Sequence, residues 1–183
     1  MGPAAIDSVL ELYSSFGNEN YDEEVSQLAH ALQCAALASR DGATEDLIAA
    51  ALLHDIGHLF EIQRNNAPDH RTDLRHEQAG AEFLRGLFPE SVTTPIALHV
   101  EAKRYLAANE PAYFDALSQG SKRSLEAQGG PFTEQDSSAF LALDGSNDAI
   151  ALRRWDDHGK VVGLEVPEFS SWIPLLKRVA VAE

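Results

Sequence analysis

The chain has 183 residues, of which 44% are hydrophobic and 23% charged, as in a globular protein with one core. Its net charge of −15 argues against a nucleic-acid partner, because contacts to a phosphate backbone require a basic face. The longest apolar run, 47–53, is much shorter than the roughly 18 residues of a membrane span. A single cysteine, Cys34, excludes an internal disulfide, and residues 1–11 carry no secretory signal, so we expect a cytoplasmic protein.

The first part of the chain shows helical periodicity. Residues 5–16 place apolar side chains at helical spacing, and residues 24–43 predict a second helix that ends at Asp41–Gly42. A third helix is predicted from Thr44, a favourable N-cap followed by two acids, to Gly57, which is expected to close it. Residues 61–73 are polar and contain a proline, so we expect a loop there.

The second part continues in the same way. Helices are predicted over 75–88, 91–109, 133–143 and 148–160, with two short helices in 111–131 and a final helix in the tail, 166–183. Pro95 lies near the first turn of its helix, where proline is tolerated. Residues 160–166, KVVGLEV, predict at most a small β-hairpin. The pattern predicts an all-α protein, and we expect residues 1–183 to form one domain.

Three of the seven histidines, His30, His54 and His99, lie on otherwise apolar faces of predicted helices. A single such histidine is most often a core residue with a backbone partner. Burying three without partners would cost on the order of several kcal/mol, and a metal ion removes that cost by binding their lone pairs. Asp55, next to His54, offers an oxygen ligand at the same place. This nitrogen and oxygen set suits Fe, Mn, Co, Ni or Zn, and ligand type does not select among them.

In the order of these residues the chain resembles the HD-domain superfamily, whose pattern is a histidine, an adjacent His–Asp pair after an apolar helix, and a distant aspartate. Most members are phosphohydrolases that use one or two divalent metals. Two further histidines between the pair and the last aspartate imply a dinuclear site. The resemblance implies one metal held by His30, His54, Asp55 and Asp156, and a second held by Asp55, His76 and His99, with Asp55 bridging the two.

Six longer segments resemble a narrower group, the HD-domain mixed-valent di-iron oxygenases of the PhnZ type, which cleave the C–P bond of 1-hydroxyphosphonates. They are QLAHALQCA, AALLHDIGH, RHEQAGAEFLRGL, HVEAKRYL, SKRSLEAQGGP and RRWDDHGK, between about residues 27 and 160. This resemblance implies two iron ions, Fe(II) and Fe(III), with O2 as co-substrate. It also implies Asp55, His76 and His99 as catalytic residues, and inorganic phosphate as a product.

The same resemblance implies a phosphonate pocket beside the metals. Lys103 follows His99 by one helical turn, Arg153 stands three residues before Asp156, and His58 follows His54 by one turn. The residues expected to bind substrate are His58, Lys103, Ser121, Gln128 and Arg153. Two irons with Lys103 and Arg153 would make this pocket positive inside an acidic protein, which suits a phosphonate dianion. A solvated helix face is the alternative explanation for these two cations.

The amine end of the substrate is expected to contact the region before His30. The family has a Tyr and a Glu three residues apart there. Glu23 keeps the family spacing to His30. The tyrosine of the family would fall at position 20, which is Asn20, so Tyr21 lies one residue too close to His30. We expect 2-amino-1-hydroxyethylphosphonate or its trimethylammonium analogue as substrate, giving glycine or glycine betaine. A quaternary amine favours aromatic faces and carboxylates, which Tyr21, Phe60 and Glu23 supply. A surface acidic helix turn is the alternative for this segment.

Three other functions fit parts of the pattern. An HD phosphohydrolase of a nucleotide or phosphomonoester would share every metal ligand. An inositol-oxygenase-like di-iron enzyme offers no role for Lys103, Ser121 and Arg153, and a non-catalytic sensor module needs no full ligand set. We expect a small organophosphonate as the partner, no nucleic acid or membrane, and a monomeric state.

Overall fold

A computed structural model describes residues 5–20, 24–65 and 75–181, and within these ranges the chain forms eleven helices and no strand. The all-α prediction is therefore confirmed. No helix in these ranges combines the length and the apolar character of a membrane span. The helices are Ile6–Phe16 (α1), Gln27–Arg40 (α2), Glu45–Leu53 (α3), Ile56–Asn65 (α4), His76–Leu84 (α5), Glu90–Asn109 (α6), Pro111–Ala116 (α7), Gln119–Ala127 (α8), Glu134–Leu141 (α9), Ser146–His158 (α10) and Phe169–Val179 (α11).

Helix α3 lies at the centre of the core because it is apolar on every side. All its residues from Leu47 to Leu53 are buried, and it packs against α2, α6, α10 and α11. The hydroxyl of Thr44 accepts the N–H of Leu47 at 3.3 Å, so the helix begins at the predicted N-cap. On its far side the hydroxyl of Tyr13 in α1 donates to the carbonyl oxygen of Leu52 at 2.8 Å.

The chain bends between α3 and α4 at His54–Asp55, and the prediction that Gly57 closes the helix is wrong. Gly57 lies inside α4, where a Cβ would stand only 2.0 Å from the carbonyl oxygen of His76. Its role is to let the backbone of α5 cross α4 at close contact. The loop expected over 61–73 is also wrong for 61–65, which continue α4; residues 66–73 lie outside the described ranges.

The hairpin expected over 160–166 does not form, and the segment runs along α2 as turn and irregular backbone. The side chain of Gln33 donates to the carbonyl oxygen of Val161 at 2.8 Å and accepts its N–H at 2.9 Å. One amide side chain thereby pairs with both backbone groups that a neighbouring strand would use.

Helices α6 and α10 pack along one another and form one wall of the site. Helix α6 continues through Pro95, which is buried, and runs for 20 residues. Helix α5 lies against both α4 and α6, and α2 lies against α3 and α10. The predicted ligands on α2, α5, α6 and α10 are therefore directed toward the bend between α3 and α4.

Candidate metal centre

The six residues predicted as metal ligands meet around the bend between α3 and α4, in two groups. The first group combines His30 of α2, His54 of the bend and Asp156 of α10, with one oxygen of Asp55. The Nε2 atoms of His30 and His54 are 3.3 Å apart. The Nε2 of His30 also lies 3.4 Å from Oδ1 of Asp156 and 3.6 Å from Oδ2 of Asp55. Four potential ligands therefore surround one point.

The second group combines His76, the first residue of α5, and His99 of α6 with the other oxygen of Asp55. The two Nε2 atoms are 3.2 Å apart, and they lie 3.4 Å and 3.7 Å from Oδ1 of Asp55. Burial lowers the pKa of His76 to about 4 and that of His99 well below its ordinary value, so both rings are neutral. Neutral imidazoles are the form that binds a metal.

Asp55 faces both groups. Its Oδ2 is directed at His30 and His54, and its Oδ1 at His76 and His99. Burial opposes its charge, but His54 and His76 hold the pKa of this carboxyl well below its usual range. An ionised carboxylate with one oxygen toward each group has the arrangement of a bridging ligand.

Backbone carbonyl groups fix the orientation of three of the imidazoles. The Nδ1 atoms of His30, His54 and His99 lie 2.8 Å, 3.0 Å and 2.8 Å from the carbonyl oxygens of Gly159, Ala51 and Ile96 respectively. Because a carbonyl oxygen can only accept, each Nδ1 carries a hydrogen, and the lone pair of the neutral ring stands at Nε2. The Nδ1 of His76 faces Oε2 of Glu77 at 3.6 Å instead.

These two groups fit two metal ions. Two nitrogen ligands at about 2.1 Å from one ion stand about 3 Å apart, which is close to both observed Nε2 separations. Two lone pairs facing each other across this distance need a cation between them. Burial lowers the pKa of His30, but the carboxylate of Asp156 beside it raises that pKa, so this position favours a positive charge. A metal ion would supply that charge.

Cys34 lies beside the first group without the properties of a ligand. Its Sγ is 3.7 Å from Nδ1 of His30 and donates to the carbonyl oxygen of Trp155 at 3.5 Å. Burial raises the pKa of this thiol, so it stays protonated, whereas a metal binds the thiolate. The donor set therefore consists of four imidazoles and two carboxylates, as first-row transition metals accept.

A cationic face, formed by Lys103, Ser121, Ser124, Arg153 and Lys160, lies next to the two groups. The ammonium group of Lys103 is buried and donates to the hydroxyl of Ser124 at 2.7 Å. Burial and the neighbouring Arg153 lower the pKa of Lys103 to about 7. The ammonium group of Lys160 donates to the hydroxyl of Ser121 at 3.1 Å and lies 3.6 Å from Oδ1 of Asp156.

Arg153 is buried among acidic partners. Its NH1 lies 2.6 Å from Oδ2 of Asp156, its NH2 contacts Asp157, and its Nε donates to Asp157 at 3.0 Å and to the hydroxyl of Tyr113 at 3.1 Å. All three guanidinium nitrogens are therefore engaged. Arg153 orients the metal-facing carboxylate of Asp156, whether or not it also contacts a substrate.

The three cations of the pocket are matched by three aspartates that contact them or the metal-ligand histidines. Lys103, Arg153 and Lys160 supply three positive charges when Lys103 is protonated. Asp55, Asp156 and Asp157 supply three negative charges. The balance expected from the sequence left out Asp157 and Lys160. The positive field that an anionic ligand requires must therefore come from the metal ions.

Of the other residues predicted to contact substrate, some lie beside the metal-ligand groups and some lie elsewhere or outside the described ranges. His58 is buried, stacks on His76 with ring centroids 3.8 Å apart, and its Nε2 lies 4.0 Å from Asp55. Gln128 is the C-cap residue of α8, and its Oε1 is a buried acceptor without a hydrogen-bond partner among the described residues. Tyr21 and Glu23 lie outside the described residues. The ring of Phe60, expected near a substrate amine, packs edge-on against Phe83 at 4.7 Å.

Sequence reasoning assigned no role to Tyr113, Ser124, Asp157 or Lys160. Tyr113 and Asp157 complete the partners of Arg153, and Ser124 and Lys160 each bond another residue of the cationic face. One signal was available in the sequence. Asp157 and Lys160 stand four and seven positions after Arg153, at the spacing of a shared helical face, although α10 ends at His158.

Known proteins with similar sequences include two enzymes. The HD domain model matches residues 27–128. The chain is 45% identical over 169 residues to the hydroxymethylphosphonate dioxygenase of Gimesia maris, covering 91% of this chain and 84% of the relative. It is 38% identical over 169 residues to the glycine-betaine-forming (1-hydroxy-2-(trimethylamino)ethyl)phosphonate dioxygenase of Leisingera caerulea, covering 92% and 86%. An uncharacterized protein of Acanthamoeba polyphaga mimivirus is 32% identical over 165 residues, covering 88% and 75%.

Proposed function

The chain belongs to the HD-domain family, and we propose that within this family it is a dinuclear iron oxygenase that uses O2 to cleave the C–P bond of a 1-hydroxyphosphonate. The observation that carries the proposal is the buried cationic face beside two metal-ligand groups that share Asp55. The identity to two phosphonate dioxygenases over about nine tenths of the chain supports it.

The proposed metals are one Fe(II) and one Fe(III). His30, His54, Asp55 and Asp156 would hold one ion, and Asp55, His76 and His99 the other. When bound, the two ions supply the activation of dioxygen and the transfer of electrons. The donor set is compatible with other first-row metals. The choice of iron rests on chemistry, because the two relatives are named dioxygenases and the activation of O2 requires a redox-active metal.

The residues of the chain position the reactants. Lys103 and Ser121 would bind the phosphonate oxygens, with His58 and Arg153 beside the metal-ligand groups. Gln128, the C-cap residue of α8, stays a predicted substrate contact. Asp55, with one oxygen toward each group, would fix the distance between the two metal sites. His76 and His99 would face dioxygen. Burial of both histidines and of Lys103 excludes bulk water, which strengthens every electrostatic contact made there.

The overall reaction balances without an added reductant. A 1-hydroxyphosphonate dianion and O2 give a carboxylate, hydrogen phosphate and one proton. The bond that breaks joins carbon to phosphorus, the carbon is oxidised to a carboxylate, and the substrate supplies all four electrons that reduce O2. One oxygen is added to the carbon and one to the phosphorus.

The group attached to C1 of the substrate distinguishes three candidates. The aminomethyl and trimethylammoniomethyl compounds would give glycine and glycine betaine, and hydroxymethylphosphonate, named in the relative at 45% identity, would give formate. Hydroxymethylphosphonate is therefore tested beside the two amines.

We further propose that residues 1–183 act as one cytoplasmic domain in monomeric form. The family match over 27–128 and the ligands contributed by α10, beyond that match, support a single functional unit. The net charge of −15 supports a small-molecule partner rather than nucleic acid.

Phosphate release tests the proposed function. Protein loaded with iron under anaerobic conditions is given each of the three 1-hydroxyphosphonates and a set of nucleotide monophosphates, with and without O2. We expect phosphate from a phosphonate only when O2 is present, with the best substrate identifying the C1 substituent. Phosphate from a nucleotide without O2 would instead establish a metal-dependent phosphohydrolase. The two related dioxygenases support this alternative less well than the oxygenase.

A further inference from the structure

The segment Gly159–Lys160–Val161 is fixed to α2 on both sides of its lysine. The Nδ1 of His30 donates to the carbonyl oxygen of Gly159 at 2.8 Å. Three residues later in α2, Gln33 pairs with both backbone groups of Val161 at 2.8 Å and 2.9 Å. A Cβ at position 159 would lie only 2.6 Å from Sγ of Cys34, so the backbone there packs tightly on α2.

This anchoring directs the side chain of Lys160 into the site instead of into solvent. Its ammonium group lies between the hydroxyl of Ser121 on α8, at 3.1 Å, and Oδ1 of Asp156 on α10, at 3.6 Å. The lysine side chain is 18% exposed, which is low for a residue type that normally extends into water. It therefore connects a predicted metal ligand to a predicted phosphonate contact.

We propose that Lys160 is a positioning residue for phosphonate recognition that acts through Ser121, an inference that rests on the proposed function. An ammonium group can only donate, so the hydroxyl oxygen of Ser121 is the acceptor in this contact. The O–H of Ser121 is then directed away from Lys160 and is available to donate to an anion. The adjacent positive charge polarises that O–H and strengthens the bond it donates.

Lys103 and Lys160 act on the same turn of α8 from two sides. Lys103 donates to the hydroxyl of Ser124, which in turn donates to the backbone carbonyl of Ser121 at 3.1 Å. Lys160 holds the side chain of Ser121 itself. The backbone and the hydroxyl of one serine are therefore oriented by two different lysines, and removal of Lys160 leaves the first of these contacts in place.

A double-mutant cycle tests this role. Lys160→Met, Ser121→Ala and the double variant are loaded with iron, and binding of hydroxymethylphosphonate is measured anaerobically by calorimetry, with KM and kcat measured under O2. If a 1-hydroxyphosphonate other than hydroxymethylphosphonate is the best substrate, that compound is used. We expect each single variant to weaken binding and raise KM about tenfold, the size of a charge-assisted hydrogen bond, with kcat within about threefold of wild type.

The coupling between the two positions distinguishes the mechanism. If Lys160 acts through Ser121, Lys160→Met has no further effect on binding in the Ser121→Ala background. Lys160→Arg, which keeps a donor and a charge, should recover binding to within about threefold. Lys122→Met is the matched control, because Lys122 neighbours Ser121 in α8 but its ammonium group donates to the carbonyl oxygen of Asp115.

Several results would overturn the inference. Additive effects of the two substitutions would show that Lys160 acts independently of Ser121, and wild-type binding by Lys160→Met would show that it has no role. Loss of iron from Lys160→Met would assign the residue to Asp156 instead. A wild-type protein that releases phosphate from no phosphonate would remove the proposed function itself, whereas an active wild type with unaffected Lys160 variants would remove only this inference.

Discussion

The metal-ligand groups and the cationic face are adjacent, but they are held in place by different interactions. In the metal-ligand groups, the rings of His54 and His99 donate to backbone carbonyls three residues earlier in the chain. In the cationic face each charged side chain bonds a side chain of another element, as Lys103 of α6 bonds Ser124 of α8. The orientation of these two rings is therefore a local property of their helices, whereas the cationic face is a property of helix packing.

The comparison also distinguishes the groups that attract an anion, which are the metals, from the groups that position it, which form the cationic face. The cations of the pocket are matched by aspartates, so the cationic face positions an anion that the metals attract. We expect that damage to the metal groups abolishes both binding and chemistry. Damage to the cationic face should weaken binding in steps and leave the metals bound.

The largest effect is expected from Asp55, which faces both groups. Asp55→Asn removes the charge that both sites share, and we expect the protein to bind fewer than two irons and to lose kcat/KM on the order of a thousandfold. Anaerobic calorimetry should detect no phosphonate binding, because the positive field is lost with the metals. Iron is measured by mass spectrometry of the purified protein.

Asp157→Asn is the matched control for this experiment, since Asp157 contacts Arg153 and belongs to the cationic side. It should keep both irons, because it leaves every predicted metal ligand in place. Two irons in Asp55→Asn would contradict the shared role of that carboxylate.

A large effect is also expected from Gly57, where α4 and α5 cross. In Gly57→Ala the new Cβ meets the carbonyl of His76, so the start of α5 must shift. We expect the free energy of unfolding to fall by about 1–3 kcal/mol, as for other overpacked sites, and the second iron to be lost. Chemical denaturation of the metal-free protein and the iron content after loading measure these two changes.

Gly42→Ala provides the comparison, because a Cβ there meets nothing within 4 Å although its φ is +75°. It should lose about 1 kcal/mol of stability from backbone strain and keep both irons. An unchanged Gly57→Ala protein with two irons would show that the close crossing is not required.

A smaller effect is expected from the protonation of Lys103. Burial and Arg153 lower the pKa of Lys103 to about 7, and bound metal cations would lower it further, so the enzyme loses this ammonium charge at or below that pH. We expect kcat/KM to decline above that pH by up to about tenfold per unit. Lys103→Arg, which stays charged, should lack this decline, and a shared decline in both proteins would assign it to another group.

Lys103 also makes the stability of the protein depend on pH, and here the effect increases with pH where kcat/KM declines. Between its folded pKa of about 7 and the higher value of a free lysine, the unfolded chain binds more protons at this position than the folded chain. The contribution of Lys103 to the free energy of unfolding therefore rises with pH across that window. Denaturation of the wild type and of Lys103→Met at several pH values isolates this contribution.

The smallest effect is expected from Gln33, which reaches the cationic face only through the segment that carries Lys160. Gln33→Leu leaves the N–H and carbonyl of Val161 without their partner, and we expect a loss of about 1 kcal/mol of stability and about a threefold rise in KM. Asn109→Leu removes another amide bond to a backbone carbonyl, at the C-terminal end of α6, and should leave KM unchanged. A KM rise in both variants would contradict a specific role of Gln33.

Only part of the ligand set was predictable from local sequence pattern. Three histidines on apolar helical faces and the adjacent Asp55 are visible without knowledge of the packing, whereas His76 and Asp156 were implied by the family resemblance. The structure brings all six together.

The cationic face was only partly predictable. Tyr113 lies 40 positions before Arg153, and Ser121 lies 39 before Lys160, so no periodicity relates them.

Two errors in the secondary-structure prediction result from contacts with distant parts of the chain. A glycine followed by a polar stretch is typical of a helix end, yet Gly57 is required by the crossing of α5 over α4. The alternation in KVVGLEV is typical of a strand, but the side chain of Gln33, 128 positions earlier, occupies both backbone groups of Val161. In both cases a distant part of the chain decided the local conformation.

The use of backbone carbonyls at Ala51, Ile96 and Gly159 has an evolutionary consequence. A carbonyl is supplied by any amino acid, so mutations at positions 51 and 96 that keep the helix preserve the orientation of the metal-ligand rings. The cationic face depends on the identity of its side chains and changes with each substitution. Duplicated genes of this type can therefore diverge in the substrate they accept while they inherit the same metal chemistry. Burial in the core limits the side chains at positions 51 and 96, and contact with Cys34 limits position 159.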